Sequence, residues 1–167
     1  MDDEVELLVR HLGLGAHPEG GFYRETFRSP LVLDGLPHGA PRAASTAIYF
    51  LLPAGTFSAF HRVRSDEVWH HYGGDPLALH VIGGDGALST FRLGRDLEAG
   101  EAPQAVVLAS SWQAAEPLGE RSSLCGCTVA PGFDFADFEM ARAEDLLRLR
   151  PDLPSVVRAL VRPAGGR

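Results

Sequence analysis

Turn-forming residues divide the middle of this sequence into short segments, and this spacing constrains the fold more than any other feature. Gly, Pro and Asp cluster at 53–55, 64–66, 73–76, 83–86 and 94. The segments between them are rich in β-branched and aromatic residues, which favour strands. With 19 Gly and 12 Pro among 167 residues, the pattern is typical of an antiparallel sandwich or barrel.

The two ends of the chain differ from this middle part. Apolar residues at helical spacing predict a helix over residues 3–12, and the same signal predicts helices over 138–149 and 156–161. The predicted strands are 45–52, 56–63, 67–72, 77–82, 88–93, 106–108, 112–115 and 122–129. We predict one all-β domain spanning 1–167, with a barrel over about 20–135 and a helical tail over about 138–161.

Charge and composition exclude several function classes. The formal net charge is −7, the chain has no Lys, and its Arg residues are scattered, so we expect no nucleic-acid partner. No apolar stretch approaches the length of a membrane span, so we expect no membrane partner. The first residues are acidic and the two Cys cannot form a disulfide framework, which favours a cytoplasmic location.

Strand alternation brings out one pair of candidate catalytic residues. His61 lies among apolar residues on one face of its predicted strand, and Glu67 follows on the next strand, sharing a face with Trp69 and His71. A short turn joins the two strands, so the imidazole and the carboxylate can approach each other inside a barrel. Each would then perturb the pKa of the other, as acid–base sites require. A hydrogen-bonded core histidine is the alternative interpretation of His61.

Several separated motifs carry a family resemblance. Gly55-x5-His61-x-Val63-x3-Glu67-x6-Gly74 resembles the first cupin motif, G-x5-H-x-H-x3-4-E-x6-G, with Val63 at the second His position. Four segments resemble a cupin subfamily long catalogued as a domain of unknown function: HPEGGFYRE at 17–25, STAIYFLL at 45–52, residues 61–72, and GCTVAPGFDF at 126–135. The resemblance covers roughly residues 5–160. It implies a double-stranded β-helix, the cupin or jelly-roll barrel, commonly dimeric, with a short N-terminal helix and a C-terminal helical tail.

The resemblance also implies a ligand set that this chain keeps only in part. A typical cupin holds a divalent metal with three His and one Glu. His61 and Glu67 match that set, whereas Val63 and Gln113 occupy two of the His positions. A metal, if present, would use His61, Glu67, Gln113 and one of His70 and His71. Alternation favours His71 and the family pattern favours His70, and a bulge near Gly73-Gly74 could reconcile the two.

Three functional hypotheses follow. The leading one is a metal-free small-molecule enzyme similar to the sugar epimerase and isomerase branch of cupins, with His61 and Glu67 as the acid–base pair. The second is a metal-dependent cupin enzyme, and the third a non-catalytic ligand-binding or sensing module. In the leading hypothesis no cofactor is needed, Tyr49 is the candidate acid, and the other candidate substrate-binding residues are Arg24, Thr46, Trp69, His70, His71 and Gln113.

Two further expectations concern electrostatics and assembly. If Glu67 is the ionised partner of His61, attraction at contact distance should outweigh burial and raise the imidazole pKa. The segment around Phe22-Tyr23 is predicted to be an apolar edge strand, which favours a homodimer.

Overall fold

Antiparallel pairing of short strands organises residues 3–162, the part of the chain that the computed structural model describes. The strands are β1 (Gly15–Ala16), β2 (Phe22–Arg28), β3 (Val32–Leu33), β4 (Arg42–Ala43), β5 (Thr46–Leu52), β6 (Ser58–Arg62), β7 (Asp66–Gly74), β8 (Leu77–Ile82), β9 (Leu88–Leu93), β10 (Gln104–Val107), β11 (Trp112–Pro117), β12 (Ser123–Ala130) and β13 (Glu139–Met140). The helices are α1 (Asp3–Leu12), α2 (Ala143–Leu149) and α3 (Ser155–Ala159), with a 3-10 turn at Phe135–Asp137. The predicted all-β fold with helical ends is confirmed.

Two sheets form the barrel. One has six strands in the order β1-β2-β5-β12-β7-β10, and the other has five in the order β13-β6-β11-β8-β9. Their inner faces meet in a core that includes Phe50 and Trp69 from the first sheet and Leu77 and Leu79 from the second. This two-sheet arrangement is the double-stranded β-helix that the resemblance implied.

The helices cover the outer faces of the two sheets. α1 packs through Val5 and the following Leu14 against Leu51 of the six-stranded sheet. The C-terminal region packs Leu146 and Leu160 against the outer face of the five-stranded sheet. No helix within residues 3–162 is long and apolar enough to cross a membrane.

The start of the C-terminal helix differs from the prediction. We expected a helix from Phe138, but α2 begins at Ala143, and residues 139–140 form β13 against the free edge of β6. The backbone there is extended because it completes the five-stranded sheet. The apolar spacing that suggested a helix reflects packing of separate elements, so periodicity alone gave the wrong element.

The connection between β6 and β7 also differs from the expectation. These strands are not hairpin partners, because β6 belongs to the five-stranded sheet and β7 to the six-stranded sheet. Residues 63–65 therefore cross from one sheet to the other. His61 and Glu67 approach the interior from opposite walls of the barrel.

Candidate functional site

A cavity of about 720 Å³ opens between the two sheets. Its walls combine aromatic rings with imidazole and carboxyl groups, a composition typical of small-molecule sites. Among the lining residues are His17, Glu19, Tyr23, Phe50, His61, Glu67, Cys127, Phe133, Phe135 and Phe138. Both members of the predicted pair, His61 and Glu67, therefore line one cavity, and both are buried.

The carboxyl group that contacts His61 is Glu19 rather than Glu67. His61 Nε2 lies 3.1 Å from Glu19 Oε2. No nitrogen–oxygen pair within 4.0 Å joins His61 to Glu67, although the two interact electrostatically. Strand alternation thus placed both predicted residues on the cavity but missed the direct partner of the imidazole.

A tight turn over residues 17–21 carries Glu19 into the interior. The backbone N–H of His17 donates to Gly21 O at 3.0 Å, and that of Gly20 donates to His17 O at 3.1 Å. Gly20 has φ +122°, and a Cβ at that position would overlap the carbonyl oxygen of Phe57. Glu19 O in turn accepts from the N–H of Ala59 on β6 at 2.8 Å. The glycine pair lets the turn lie directly against β6, which is why Glu19 points inward.

A bulge in β6 gives Glu19 its third partner. The register between β11 and β6 pairs Gln113 with His61 but Ala115 with Ser58, so β6 contains one extra residue. In a strand without a bulge, alternation would place Ser58 on the opposite face from His61. With the bulge, Ser58 Oγ donates to Glu19 Oε1 at 2.8 Å while His61 contacts Oε2 of the same carboxyl.

The hydrogen bonds around Glu19 place a proton on its Oε2 when both neighbouring imidazoles are neutral. His61 Nδ1 is 2.9 Å from the carbonyl oxygen of Ala59, which can only accept, so Nδ1 carries a proton. His17 Nδ1 accepts from the backbone N–H of Glu19 at 3.3 Å. Neutral His61 and neutral His17 therefore both present a lone pair to Glu19 Oε2, at 3.1 Å and 3.4 Å. A proton on Glu19 satisfies this arrangement, whereas a carboxylate facing two lone pairs does not.

Burial favours the same protonation states. It raises the pKa of Glu19 to about 8, against weaker opposing effects from Ser58 and Arg162. It also lowers the pKa of His17 to about 3, with a smaller contribution from His61. Burial lowers the pKa of His61 as well, and outweighs Glu67 and the Ala59 carbonyl. Our expectation of a raised His61 pKa is therefore wrong, because desolvation exceeds the attraction of a carboxyl group that does not contact the ring.

Glu67 is held in place from the opposite wall. Its Oε2 accepts from Gln113 Nε2 at 2.5 Å, and Gln113 Oε1 accepts from Trp69 Nε1 at 2.9 Å. Burial raises the pKa of Glu67, with His61, Gln113 and Cys127 acting in the opposite direction. Gln113 and Trp69 do not line the cavity, so the prediction that they contact substrate is corrected. Their amide and indole groups position the Glu67 carboxyl instead.

The predicted roles of His70 and His71 are also corrected, since neither lines the cavity. His70 lies on the outer side of β7, where it bonds Thr128 Oγ1 at 3.1 Å and Gln104 Nε2 at 2.9 Å. His71 Nε2 donates to Asp75 O at 3.0 Å. A bulge does occur close to the predicted place, between His71 and Gly73, but it turns neither imidazole toward His61.

Tyr49 and Arg24 lie together on the outer face of the six-stranded sheet. Tyr49 packs in the cluster beneath α1 and does not line the cavity, so the structure does not support it as the acid. Arg24 borders the cavity, but its guanidinium lies 5.6 Å from the centre of the Tyr49 ring. Thr46 does line the cavity, and its Oγ1 accepts from the N–H of Phe133 at 2.9 Å. Its role in substrate binding stays a prediction.

The residues present do not fit the metal set of a typical cupin. Val63 has no ligating atom, and the amide oxygen of Gln113 already accepts from Trp69. His70 and His71 are bonded elsewhere. Within residues 3–162, no group of three or more His, Cys, Asp and Glu side chains is arranged to hold a metal ion. We therefore derive no chemical step through a metal.

Three features of the site were missed from sequence: Glu19, the tautomer of His17, and the aromatic wall at Phe133, Phe135 and Phe138. The wall is anchored by the buried ion pair of Arg42 and Asp137, with N–O distances of 2.7 Å and 2.8 Å. Phe138 stacks on His61 and Phe135 on His17. The paired glycines after Glu19 were a usable signal, since they indicate a close backbone approach.

Known proteins resemble this chain over nearly its whole length. The sequence profile of the family described as Cupin superfamily (DUF985) matches residues 6–141. A structure from Shewanella oneidensis has a TM-score of 0.86 at 39% identity and covers 98% of this chain and 99% of its own. A hypothetical protein from Leishmania major has a TM-score of 0.86 at 34% identity, with coverage of 93% and 97%. An uncharacterized protein from Saccharomyces cerevisiae is 29% identical, over 86% of this chain and 78% of the yeast protein.

Proposed function

This chain belongs to the Cupin_5 family (DUF985) of the cupin superfamily, and on that premise we propose that it is an enzyme that isomerises or epimerises a small molecule by proton transfer. One observation carries the proposal. Glu19, buried and facing the lone pairs of His61 and His17, is a carboxylic acid at neutral pH inside a cavity that also holds a second carboxyl group, Glu67. Two carboxyl groups in different environments are the means by which one site supplies both an acid and a base.

Glu67 and Glu19 take the two complementary roles. Glu67, whose Oε2 accepts from the amide of Gln113, is the base and in its carboxylate form accepts a proton from a substrate C–H next to a carbonyl group. Glu19 gives its O–H proton to the resulting enediol or enolate at a neighbouring carbon or on the opposite face. The cycle closes when the proton on Glu67 returns to Glu19. Solvent entering the open cavity after product leaves takes the proton from Glu67 and returns one to Glu19, while His61 holds the Glu19 carboxyl in place.

His17 supplies a hydrogen-bond donor for the substrate oxygen. Because its Nδ1 accepts from the Glu19 N–H, the proton of the neutral ring lies on Nε2, which has no partner among residues 3–162. The pKa of about 3 keeps this imidazole neutral at physiological pH. A neutral N–H directed at a carbonyl oxygen stabilises the charge that develops there when the adjacent carbon loses its proton.

The proposed reaction needs no resident metal ion. His61 has both ring nitrogens engaged, by Ala59 O and by Glu19, and Glu67 is held by Gln113. Each group that a cupin metal would use is thus already engaged in hydrogen bonds that position it for proton transfer.

Deuterium incorporation tests this function across several classes of substrate at once. The protein is incubated in deuterated water with a panel of aldoses, ketoses, hydroxy acids and amino sugars, and carbon-bound deuterium is measured by mass spectrometry. We expect incorporation into one class of compound, and its loss in Glu67→Gln and Glu19→Gln. Glu116→Gln is the matched control, because Glu116 contacts an imidazole, His80, at 3.3 Å but does not line the cavity.

The outcomes separate the competing functions. Incorporation that persists in both cavity variants would show that these carboxyl groups do not move the proton. Ligand binding in the cavity without any incorporation across the panel would favour a non-catalytic binding module instead.

We also propose that the protein forms a homodimer through the edge of the six-stranded sheet. β1 pairs with only two residues of β2, Phe22 and Tyr23, so the rest of that edge lacks a neighbouring strand among residues 3–162. Phe27 on this part of β2 is half-exposed, and Leu31 and Val32 beyond it are more exposed still. An open strand edge beside exposed apolar side chains is a surface that a second copy can cover.

A further inference from the structure

We propose that the ligand of this cavity is an organic cation, a small molecule with an ammonium group beside a flat apolar part. The inference rests on the proposed function in placing the ligand between Glu19 and Glu67, and it goes further by naming the ligand's chemical class. The charges that line the cavity, their existing partners and the aromatic rim all support it.

Negative groups outnumber available positive groups around the cavity. Four carboxyl groups line it, Glu19, Glu25, Glu67 and Asp134, and because Glu19 is neutral at pH 7, three carboxylates face two guanidinium groups, Arg24 and Arg28. Both guanidinium groups are engaged elsewhere. Arg28 makes two hydrogen bonds to Glu25, at 2.9 Å and 2.7 Å, and one to Phe133 O at 3.1 Å. Arg24 lies over the Tyr49 ring on the outer face of the sheet. Arg28 is thus neutralised by Glu25, and the Arg24 guanidinium is directed toward the Tyr49 ring.

Asp134 is the carboxylate at the rim that lacks a contacting cation. Its Oδ1 accepts from the N–H of Ala136 at 2.8 Å. No Arg or His side chain within residues 3–162 forms an ion pair with it at 4.0 Å or less, although Arg28 and Arg42 act on it at longer range. A neutral or anionic ligand that covered the rim would desolvate this carboxylate without compensation. An ammonium group would pair with it.

Aromatic rings flank Asp134 on both sides. Phe133 and Phe135 are its neighbours in sequence, with ring centres 4.9 Å apart and planes at 84°. Phe138 lies 5.8 Å from Phe135 and continues the wall toward His61. The face of an aromatic ring attracts a cation, and several rings beside a carboxylate form a recurrent recognition site for ammonium groups. The same rings offer a flat apolar surface to the remainder of the ligand.

Three probes that differ in one group test the inference. Tryptamine, tryptophol and indole-3-acetate share an indole ring and carry an ammonium, a hydroxyl and a carboxylate group respectively. Titration calorimetry at neutral pH should show tryptamine binding about tenfold more tightly than tryptophol, with indole-3-acetate weakest. Asp134→Asn should weaken tryptamine binding about fivefold and leave tryptophol binding unchanged. Asparagine keeps the oxygen that caps Ala136, so the variant retains the local fold.

Asp85→Asn is the matched control, since Asp85 Oδ1 accepts from the N–H of Ala87 in the same two-residue geometry but does not line the cavity. Phe135→Leu provides a second variant and should weaken tryptamine binding more than tryptophol binding. Three results would each overturn the inference: tryptophol or indole-3-acetate binding at least as tightly as tryptamine, no tryptamine binding at millimolar concentration, or equal tryptamine affinity in Asp134→Asn and Asp85→Asn.

These results are independent of those for the proposed function. Selective tryptamine binding without deuterium incorporation into any compound would support the cation site and contradict the proposed isomerase activity. The opposite result is deuterium incorporation into a neutral substrate that is lost in Glu67→Gln, together with no preference for tryptamine. It would support the isomerase activity and contradict the cation site.

Discussion

Glu19 shows how a group that is costly to bury can be kept inside a protein. Its carboxyl group is removed from water but is bonded on both oxygens, by Ser58 on one side and by His61 on the other. Burying the neutral acid with these partners costs far less than burying a carboxylate. The same neutrality provides the proton on which the proposed reaction depends.

This protonation makes stability depend on pH, and Glu19→Gln should remove that dependence. The folded-state pKa of about 8 lies above the ordinary value of 4.5, so the folded protein retains a proton that the unfolded chain loses. The stabilisation is complete below the unfolded pKa and is lost as pH rises toward 8. From about pH 6.5 to 8, Glu19 should lower the free energy of unfolding by up to about 1.4 kcal/mol per pH unit.

The window above pH 6.5 isolates Glu19 from His17. The pKa of His17 is lowered from 6.5 to about 3, so its effect on stability has the opposite sign and ends near pH 6.5. Glu67 is present in both proteins, so its contribution to the pH dependence of stability largely cancels in the comparison. Chemical denaturation across this range should give a difference between wild type and Glu19→Gln that changes with pH, and parallel curves would argue against a protonated Glu19.

Gln113 should contribute strongly to stability through two buried partners. It is 0% exposed, donates to Glu67 and accepts from Trp69. Gln113→Leu would leave an indole N–H and a carboxyl group unpaired, and we expect a loss of about 2–4 kcal/mol in unfolding free energy. Gln104→Leu, which removes an exposed amide bonded to His70, should cost less than about 0.5 kcal/mol. Similar losses in urea titrations of the two variants would contradict the positioning role.

At the scale of elements, the turn over residues 17–21 determines whether the site exists. It presses against β5 as well as β6, because a Cβ at Gly21 would lie 2.6 Å from the carbonyl oxygen of Leu51. Glycine is required here by close approach as well as by positive φ. The turn thus delivers Glu19 and His17 to the cavity through backbone packing alone.

Gly20→Ala should therefore unfold or displace this turn. We expect a loss of more than about 3 kcal/mol, since the added methyl group overlaps the Phe57 carbonyl oxygen. Gly39→Ala is the control, because Gly39 has φ +77° and no atom within 4 Å of the added carbon. It should cost about 1 kcal/mol from backbone strain alone. Equal thermal stability of the two variants would show that close approach at Gly20 is unimportant.

Local sequence patterns predicted most strands and helices but failed where segments distant in sequence pack against each other. Strands 77–82 and 88–93 have the predicted bounds because Gly-rich turns flank them. Alternation correctly placed His61 and Glu67 inside the barrel. It failed at Ser58, where a bulge adds a residue, and it does not apply to Glu19, which lies in a turn where only the glycine pair indicated a close backbone approach. Bulges and buried turns result from packing between strands distant in sequence, which periodicity does not record.

At the scale of the whole molecule, the barrel brings the two halves of the site together from separate sheets. His61 and Ser58 come from the five-stranded sheet, and Glu67 and Cys127 from the six-stranded sheet. Because the acid, Glu19, is bonded to Ser58 and His61, its position relative to the base, Glu67, depends on how the sheets pack. Core substitutions far from the cavity can therefore alter activity by shifting one wall against the other.

The proposed homodimer is also a property of the whole molecule. Multi-angle light scattering at micromolar concentration should give twice the chain mass of 17.9 kDa. Phe27→Arg should shift the population toward monomer, since it places a charge on the exposed edge, whereas Phe91→Arg on the other sheet should not. A monomer at all accessible concentrations would contradict the proposal.

The most direct test of the central claim is an infrared titration of the Glu19 carboxyl group. Difference spectra between wild type and Glu19→Gln, recorded from about pH 5 to about pH 10, isolate the carbonyl stretch of this protonated acid. We predict that the band is present at neutral pH and disappears with a midpoint near the pKa of about 8. A band already absent at about pH 6, with a carboxylate signal in its place, would show that Glu19 is ionised and cannot serve as the proton donor.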